Sequence, residues 1–320
     1  MKTKNKKIDL SRFGVFMAWI LLMVIFSLAN PSFTKISNIF TILRQASIVG
    51  VCAVGMTFVI LTGGMDLSVG AVIGVCCVAG AQMLSKGMPI ILVIFIMLAF
   101  GAAVGMFNGF FINEIGIAPI IMTLGTMTAL RGAAYLLCNG FPVYGIPTQF
   151  KIIGQGYFGP IPVPVIIMAI CFCIGWFILN RLSFGREIYG LGGNIEATRL
   201  SGVNVKKTIY MVYTLAGVLF ALAGLILTAR VNSGQPTAGI GYEMDVITCV
   251  VLGGVSISGG EGNILGVVVG VLLMSTLQNG LVLMNVSDFW QQVVKGCVLI
   301  LAVTMDKLVQ KSKQRAVEKV

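Results

Sequence analysis

The sequence predicts an all-α polytopic membrane protein with about ten transmembrane helices, and three observations support this fold class. Only 10% of the 320 residues are charged and 57% are hydrophobic, whereas soluble domains average about 25% charged residues. The mean hydropathy is +0.98. Apolar runs of roughly 17–25 residues, each long enough to cross a bilayer as a helix, recur along the whole chain.

The apolar runs define ten predicted spans in a single membrane domain that covers residues 1–320. Helices are expected because a helix satisfies its own backbone hydrogen bonds in lipid, and the runs lack the alternation of membrane-barrel strands. The predicted spans are residues 13–29, 47–62, 66–84, 89–113, 117–138, 164–182, 208–229, 245–259, 263–284 and 289–306. The span at 245–259 is the shortest of them.

The basic residues predict which side of the membrane each loop occupies. Fifteen of the 22 Lys and Arg residues fall in the N-terminal tail (1–12), in residues 181–207 and in the C-terminal tail (307–320). Because cytoplasmic loops carry an excess of Lys and Arg, both tails and the loop 183–207 are expected in the cytoplasm. The net charge of +11 then reflects topology and anionic lipid. It does not indicate nucleic-acid binding, since no basic face carries interleaved aromatic residues.

The first span, 13–29, has two interpretations. Its basic start and the Ser-Leu-Ala sequence at 27–29 resemble a signal peptide with its cleavage site. The apolar run is long for a signal peptide, and its removal would invert the charge pattern of every later loop, so an uncleaved span is expected. After this span, Ser37 is expected to cap a short helix on the outer membrane surface. The apolar stripe of that helix is Ile36, Ile39, Phe40 and Leu43.

Several classes of chemistry are excluded by composition. The chain has no His, and its eight Cys include no C-x-x-C pair, so His-based catalysis and the common metal or redox motifs are absent. The segment SGVNVKKT lacks the glycines of a phosphate-binding loop, so ATP is not expected to bind to this chain in that way. No nucleophile and base pair is visible, and an enzyme is the least favoured class.

The acidic residues separate the kinds of transporter. All eleven map to tails, loops or the ends of predicted spans, whereas proton- or sodium-coupled carriers usually keep carboxylates near the bilayer centre. The energy for transport must then come from another subunit, or the protein is a passive channel.

Two glycine-rich turns have similar sequences. LTGGMDLSVG (61–70) joins spans two and three, and LGGVSISGGEGN (252–263) joins spans eight and nine. In the first turn, Asp66 or Ser68 is expected to cap the next helix, and a gating role for these residues is the alternative. The similarity of the turns suggests an inverted repeat of spans two to five and seven to ten.

Regularly spaced glycines and two basic residues occur inside the predicted spans. The G-x-x-x-G pairs predict close helix crossings, within the chain or between protomers; they are Gly70/Gly74, Gly101/Gly105/Gly109 and Gly266/Gly270. Arg131 lies well inside the fifth span, where it either snorkels, pairs with backbone carbonyls or lines a hydrated pathway. Lys295 is about two turns from the end of the last span, so snorkelling is expected.

A short polar helix is predicted between the sixth and seventh spans. Asn194 suits the N-cap, Glu196 the first turn and Gly202 the C-terminal left-handed position. Glu196 and Arg199 are spaced to form an ion pair, and Ala197, Leu200 and Ser201 form a mildly apolar face. Such a rigid helix, which includes Gly193 at its start, fits a docking surface for a cytoplasmic partner better than a solvated connector.

Three separated segments resemble the permeases of ribose-, xylose- and galactoside-type sugar importers. They are LGGNIEATRLSGVNV (191–205), FVILTGGMDLSVG (58–70) and ARVNSGQPTAGIGYEMDVITCVVLGG (229–254). The first resembles the cytoplasmic coupling segment of that family, and the likeness covers nearly the whole chain. Glu261 and Asn263 depart from the pattern, because basic residues are expected at both positions.

The resemblance implies an ATP-binding-cassette importer in the bacterial inner membrane. It implies two permease copies or a close heterodimer, two cytoplasmic ATPase subunits that bind ATP and Mg²⁺, and an external sugar-binding protein. This chain would carry no cofactor of its own. The candidate contacts for the binding protein are Gln235, Pro236, Thr237, Tyr242 and Glu243, in a segment placed outside by the predicted topology. A passive channel or facilitator for small polar solutes is the alternative function.

Overall fold

The structure, a computed structural model, describes residues 10–317, and almost all of its regular structure is helical. In chain order the elements are α1 (Leu10–Ala29), α2 (Ile36–Leu61), α3 (Val69–Ser85), α4 (Ile90–Phe110) with a π-helical turn (Phe111–Ile115), α5 (Pro119–Cys138), α6 (Thr148–Gln155), β1 (Tyr157–Phe158), β2 (Ile161–Pro162), α7 (Val163–Arg181), α8 (Ser183–Gly193), α9 (Ile195–Leu200), α10 (Val205–Val231), α11 (Tyr242–Leu252), α12 (Ile264–Leu283) and α13 (Asp288–Val317). The two strands form a small antiparallel hairpin.

Within the described residues, six helices are long and apolar enough to cross a membrane. They are Ile36–Leu61, Ile90–Ile115, Pro119–Cys138, Val163–Arg181, Val205–Val231 and Ile264–Leu283. Two shorter apolar helices are Gly14–Ala29 and Val69–Ser85. The all-α polytopic architecture is therefore confirmed, while the count of ten spans and the side of the membrane on which the termini lie stay predictions. Of the two tails, residues 1–9 and 318–320 lie outside the described residues.

The eighth predicted span, 245–259, is wrong as a continuous helix. Helix α11 ends at Leu252 after 11 residues, a length of about 16 Å, which is only half of the hydrocarbon thickness. Gly254 follows with a φ of +83°, a left-handed conformation that ends a helix. The last predicted span, 289–306, lies inside α13, which continues to Val317.

The separate surface helix predicted after the first span is also wrong. Residues 36–61 form one helix, α2, and Ser37 does not cap it, because the helix begins after Lys35 without a side-chain cap. Asn38 turns inward and exchanges two amide hydrogen bonds of 2.9 Å with Asn279 of α12. Because this pair satisfies both amides, the polar residue on α2 serves helix packing rather than contact with solvent.

The core lies around α2 and α10, and small residues allow the helices to approach closely. A Cβ atom at Gly101 would clash with the carbonyl of Gly217, and one at Gly105 with the carbonyl of Tyr213, so α4 and α10 cross backbone to backbone. Gly270 of α12 faces the carbonyl of Cys249 in the same manner. The crossings predicted at Gly101/Gly105 and at Gly270 are therefore confirmed as contacts within the chain, whereas Gly70 and Gly74 face the carbonyls of Gly239 and Ala238 before α11 rather than another helix.

Two sets of four helices make matching contacts. Helix α10 packs against α3 and α4, and α2 packs against α11 and α12; similarly, α3 contacts α4 and α5, and α11 contacts α12 and α13. This pairs α2–α5 with α10–α13, which are the predicted spans two to five and seven to ten. The inverted relation between the two sets stays a prediction.

The two glycine-rich turns are not equivalent within these sets. The turn 61–70 joins the first and second helices of its set, whereas 252–263 joins the second and third helices of the other. Instead, the turns touch each other, since a Cβ atom at Gly259 would lie 2.8 Å from the backbone nitrogen of Gly63. The similarity of the two turns therefore does not support the repeat. Only the matching contacts of the two helix sets support it.

Candidate functional site

Helix α9 has the N-terminal cap predicted from the sequence. The side-chain oxygen of Asn194 accepts a 2.9 Å hydrogen bond from the backbone nitrogen of Ala197. Arg199 Nη2 lies 2.6 Å from Glu196 Oε2, and both side chains are largely exposed. The cap satisfies one of the free amides at the helix start, and the exposed pair adds a few tenths of a kcal/mol, about 0.2–0.5.

The C-terminal end of α9 is closed by Gly202. Its φ is +86°, and its nitrogen donates a 3.0 Å hydrogen bond to the carbonyl of Arg199. The nitrogen of Val203 donates at 3.4 Å to the carbonyl of Thr198, which completes the two-bond pattern of a Schellman C-terminus. A helix of only 6 residues is marginal in isolation, so these caps explain how it keeps a defined shape.

The outer face of α9 is exposed among residues 10–317, which the structure describes. Leu200 is 85% exposed, and Ala197 and Ser201 are exposed beside it. Thr198, which the sequence did not single out, points inward, packs over Gly190 and donates its hydroxyl to the carbonyl of Asn194 at 2.8 Å. An apolar tip on a capped, polar helix is the arrangement expected of a docking surface.

Helix α8, which precedes α9, was missed by the sequence reasoning. Phe184, Ile188 and Leu191 follow helical spacing; Phe184 and Ile188 pack with the core and Leu191 is buried, so the apolar periodicity was the signal that could have found this helix. Glu187 accepts a 2.9 Å hydrogen bond from the hydroxyl of Thr208 on α10. Tyr189 donates its hydroxyl to the carbonyl of Gly262 at 3.0 Å. Helices α8 and α9 therefore form a unit anchored to the membrane domain.

This unit is attached to both glycine-rich turns through the glycine junction, which consists of Gly63, Gly192, Gly259 and Gly260. A Cβ atom at Gly192 would clash with the carbonyl of Leu61 and with the nitrogen of Gly260, and Gly260 donates its amide to that same carbonyl at 2.9 Å. Backbone contacts of this kind leave no room for side chains. The α8–α9 unit therefore contacts the end of α2 and the turn between α11 and α12, as well as its sequence neighbours α7 and α10.

Asn263, one of the departures from the family pattern, has a structural role at the end of the second turn. It caps α12, since its side-chain oxygen accepts a 2.9 Å hydrogen bond from the nitrogen of Leu265. A basic residue cannot provide this acceptor.

Asp66 and Ser68 form a buried polar network, and neither caps α3 through its side chain as the sequence predicted. Asp66 Oδ1 accepts hydrogen bonds from the backbone nitrogen of Ser68 at 2.8 Å and from its hydroxyl at 2.5 Å. Asn108 of α4 donates to Ser68 Oγ at 3.3 Å and accepts from the hydroxyl of Thr126 on α5 at 2.6 Å. All four residues are buried, so the network joins the turn to α4 and α5. In the sequence, the signal for this network was one polar residue inside each of these two spans, Asn108 and Thr126.

Arg131 pairs with backbone carbonyls, one of the alternatives that the sequence left open. Its Nη1 atom donates to the carbonyl of Ala238 at 2.8 Å and approaches that of Pro236 at 3.4 Å. The same nitrogen would lie 3.1 Å from a Cβ atom at Gly74 of α3. Arg131 thus connects α5, α3 and the segment before α11. The carbonyls of Pro236 and Ala238 lie outside any helix, and the guanidinium supplies the hydrogen-bond donor that a helix would otherwise provide.

The segment 232–241 contains the residues predicted to contact a binding protein. It passes along α3, with Gly234 against the carbonyl of Cys77 and Gly239 against that of Gly70. Pro236 is buried, Gln235, Tyr242 and Glu243 are partly buried, and Thr237 is exposed. The segment is therefore packed against α3 over much of its length, and a contact with a binding protein stays a prediction.

Lys295 forms an ion pair, and the expectation that it snorkels is wrong. Its Nζ atom lies 2.7 Å from Asp245 Oδ2, with 23% and 11% of the two side chains exposed. The pair joins α13 to α11. Sequence reasoning missed it because Asp245 was placed at the end of a span, where no partner was sought.

Comparison with known proteins identifies the family. The family of branched-chain amino acid transport system permease components matches residues 38–303. The ribose import permease of Bacillus subtilis is 46% identical over 96% of this chain and 97% of its own length. The galactose/methyl galactoside import permease of Escherichia coli is 35% identical, over 96% and 98% of the two chains, and the xylose transport permease of Haemophilus influenzae is 33% identical, over 95% and 98%.

No solved structure matches the chain. The matches with the family and with the permeases nonetheless extend over nearly the whole sequence. The chain therefore belongs to the family of branched-chain amino acid transport system permease components, and the resemblance to sugar-import permeases is confirmed. It is a multi-pass protein of the bacterial inner membrane.

Proposed function

We propose that this family member is the membrane-spanning permease subunit of an ATP-driven importer, and that it translocates a ribose-like monosaccharide or a related sugar. The observation that carries the proposal is α9, a helix capped at both ends that presents the exposed Leu200 away from the membrane domain. The relatives of this chain described above are ribose, xylose and galactose/methyl galactoside permeases. The relatives are transport permeases and not enzymes, so the chain is proposed to be catalytically inactive.

The proposed partner at α9 is a cytoplasmic ATP-binding subunit, which would bind ATP and Mg²⁺. Leu200 would enter an apolar groove of that subunit, with Ala197 and Ser201 beside it, while Glu196 and Arg199 remain at the rim of the contact. An amphipathic helix in a groove is a common recognition mode, because a few apolar residues at helical spacing supply most of the buried area.

The glycine junction supports a specific route for the motion. The sequence alone suggests that a push on α9 would tilt spans six and seven, which are α7 and α10. Because Gly192 contacts Leu61 and Gly260 directly, a displacement of the α8–α9 unit would also move the end of α2 and the turn that joins α11 to α12. We propose that ATP-driven closure of the partner shifts α2 and, through this turn, α11 and α12, and thereby alternates access to the pathway.

The remaining assembly follows from the topology and the family. Both termini and the loop 183–207 are proposed to be cytoplasmic, with ten segments crossing or entering the membrane and with α2–α5 and α10–α13 as an inverted repeat. A second permease copy or a close paralogue would complete the pathway. An extracytoplasmic sugar-binding protein would deliver the substrate, and Gln235, Pro236, Thr237, Tyr242 and Glu243 remain its candidate contacts.

The experiment compares Leu200→Asp with the conservative variant Leu200→Met. Both variants should insert into the membrane, since Leu200 is exposed and touches no lipid-facing helix. Leu200→Asp places a carboxylate in the groove, where desolvation is costly, and should abolish co-purification of the ATPase together with sugar uptake. Leu200→Met should retain both. Unchanged uptake by Leu200→Asp with the ATPase still bound would show that α9 is only a connector.

The same experiment separates the importer from a passive channel. A channel would conduct sugar with the same rate in both variants and in the absence of ATP, whereas the importer requires ATP and the intact α9.

A further inference from the structure

The segment 232–241 borders a cavity of about 250 Å³. Its polar lining comes from Ser233, Gln235, Thr237 and Tyr242, and its apolar lining includes Cys77 of α3 and Leu227 of α10. Ser233 is buried at one end, whereas Thr237 is exposed at the other. The cavity therefore extends from the surface of the protomer into the space between α3, α10 and the start of α11.

The backbone of the segment 232–241 is irregular, and this bears on whether water and polar solutes occupy the cavity. Asn232, Gly239 and Gly241 have φ values of +58°, +76° and +81°, so the segment forms turns rather than a helix. Non-helical backbone at membrane depth occurs only where it is buried in protein or lines a water-filled cavity. Here Gly234 and Gly239 pack against α3, whereas the polar residues of the segment line a cavity that reaches the surface at the exposed Thr237, where water and polar solutes can enter.

The lining matches a small neutral polyol better than an ion or an apolar ligand. Hydroxyl and amide groups supply hydrogen-bond donors and acceptors, and Tyr242 adds an aromatic ring with a hydroxyl. None of the cavity-lining residues is charged. Drug-sized ligands occupy about 300–1,000 Å³, so this slightly smaller cavity suits a monosaccharide.

Arg131 holds one wall of the cavity in place. It donates its hydrogen bond to the carbonyl of Ala238, a lining residue, at 2.8 Å. At the deeper end, Gln235 Nε2 donates to Ser233 Oγ at 3.3 Å. The polar groups are therefore positioned before any ligand arrives, which lowers the entropy cost of binding.

We infer that this cavity is a transit site for the sugar, in which Gln235, Thr237 and Tyr242 form hydrogen bonds to its hydroxyl groups. The inference rests on the proposed function and goes beyond it by placing a sugar-binding site inside the permease. We expect the sugar to bind weakly at this site, because a transported solute must also leave it. The lining can form only a few hydrogen bonds to the sugar, which keeps the affinity low.

The test uses the complete importer, with its ATPase and binding protein, reconstituted in vesicles and supplied with D-ribose. Gln235→Ala and Thr237→Val should lower ribose uptake by about tenfold, the effect of losing one or two hydrogen bonds. Co-purification of the ATPase should be unchanged, because neither residue lies in the α8–α9 unit. Thr304→Val is the matched control, since its exposed hydroxyl bonds only to the carbonyl of Ile300 in its own helix. Unchanged uptake in both cavity variants would overturn the inference.

A second measurement covers the case in which these variants fail to assemble. Thr237→Cys, in a chain without the native Cys, should react with a charged methanethiosulfonate reagent, and excess ribose should slow the reaction. Ile121→Cys, at an exposed apolar position of α5, should react slowly with or without ribose. An unreactive Thr237→Cys, or a reaction that ribose, xylose and galactose all leave unchanged, would contradict a sugar site.

The two proposals fail in different ways. If the unmodified importer transports none of these three sugars, the proposed function is wrong, whereas the labelling of Thr237→Cys still tests whether sugars enter the cavity. If the unmodified importer transports ribose and the cavity variants do so equally well, only the transit site is wrong.

Discussion

Lys295 and Asp245, which are 50 residues apart in sequence, form a 2.7 Å ion pair that ties α13 to α11. Helix α11 is only 11 residues long and follows an irregular segment, so it has few covalent constraints on its position. The pair lies close to the first turn of α11, where Asp245 also favours the positive end of the helix dipole. This ion pair is therefore one of the contacts that set where the short helix sits.

We predict that Lys295→Met destabilises the protein, because it leaves the Asp245 carboxylate largely buried without its cation. Loss of one partner from a fully buried pair costs about 3–5 kcal/mol; since 23% of the Lys295 side chain is exposed, we expect about 2–3 kcal/mol. The free energy of unfolding can be measured by titration with sodium dodecyl sulfate in mixed micelles.

The double variant Lys295→Met with Asp245→Asn should recover part of this loss, since no unpaired charge remains. Lys86→Met is the control, because Lys86 is exposed and its removal should change stability by less than about 0.5 kcal/mol. Equal stability of Lys295→Met and the control would mean that the pair contributes nothing.

Arg131→Met should impair uptake of sugar while leaving the complex assembled. The variant removes the donor to Ala238 and Pro236, so two carbonyls beside α3 lose their partner and the segment 232–241 is released. Arg131→Lys should retain part of the activity, because a single nitrogen makes both contacts. Uptake and co-purification with the ATPase are the measurements. Normal uptake by Arg131→Met would reduce the role of this residue to local packing.

Gly192→Ala should uncouple ATP hydrolysis from uptake. Its Cβ atom would clash with the carbonyl of Leu61 and with Gly260, so the α8–α9 unit must move away from the two turns. The adjacent variant Gly193→Ala is a matched control, since no atom lies within 4 Å of its Cβ position. The ratio of sugar transported to ATP hydrolysed should fall in the first variant only. If both variants keep the normal ratio, the glycine junction does not transmit the motion.

Single-Cys labelling tests the proposed topology. In a chain without the native Cys, Ser201→Cys should be protected from an impermeant reagent applied outside the cell, and Thr148→Cys should react. Both positions are exposed, so a difference in labelling reports the side of the membrane rather than burial. Labelling of position 201 from outside would reverse the orientation derived from the basic residues.

The sequence by itself determined the features that depend on residues close together in the chain. Apolar runs identified the membrane helices, because burial in lipid requires helices with apolar surfaces. The α9 helix was predicted with its cap and left-handed end, since Asn194 and Gly202 act on backbone groups within three residues of themselves. Periodicity could equally have identified α8.

The tertiary structure alone decided which distant groups meet. For Arg131 the sequence left several alternatives open and for Lys295 it predicted snorkelling, because the partners, the carbonyl of Ala238 and the carboxylate of Asp245, are 107 and 50 residues away. The end of α11 at Leu252, in contrast, was visible in the sequence, because Gly253 and Gly254 lie in the glycine-rich turn 252–263 and Gly254 adopts a φ of +83°. The physical reason is that a cap or an apolar stripe depends on local geometry, whereas ion pairs, the glycine junction and the cavity depend on how the helices cross.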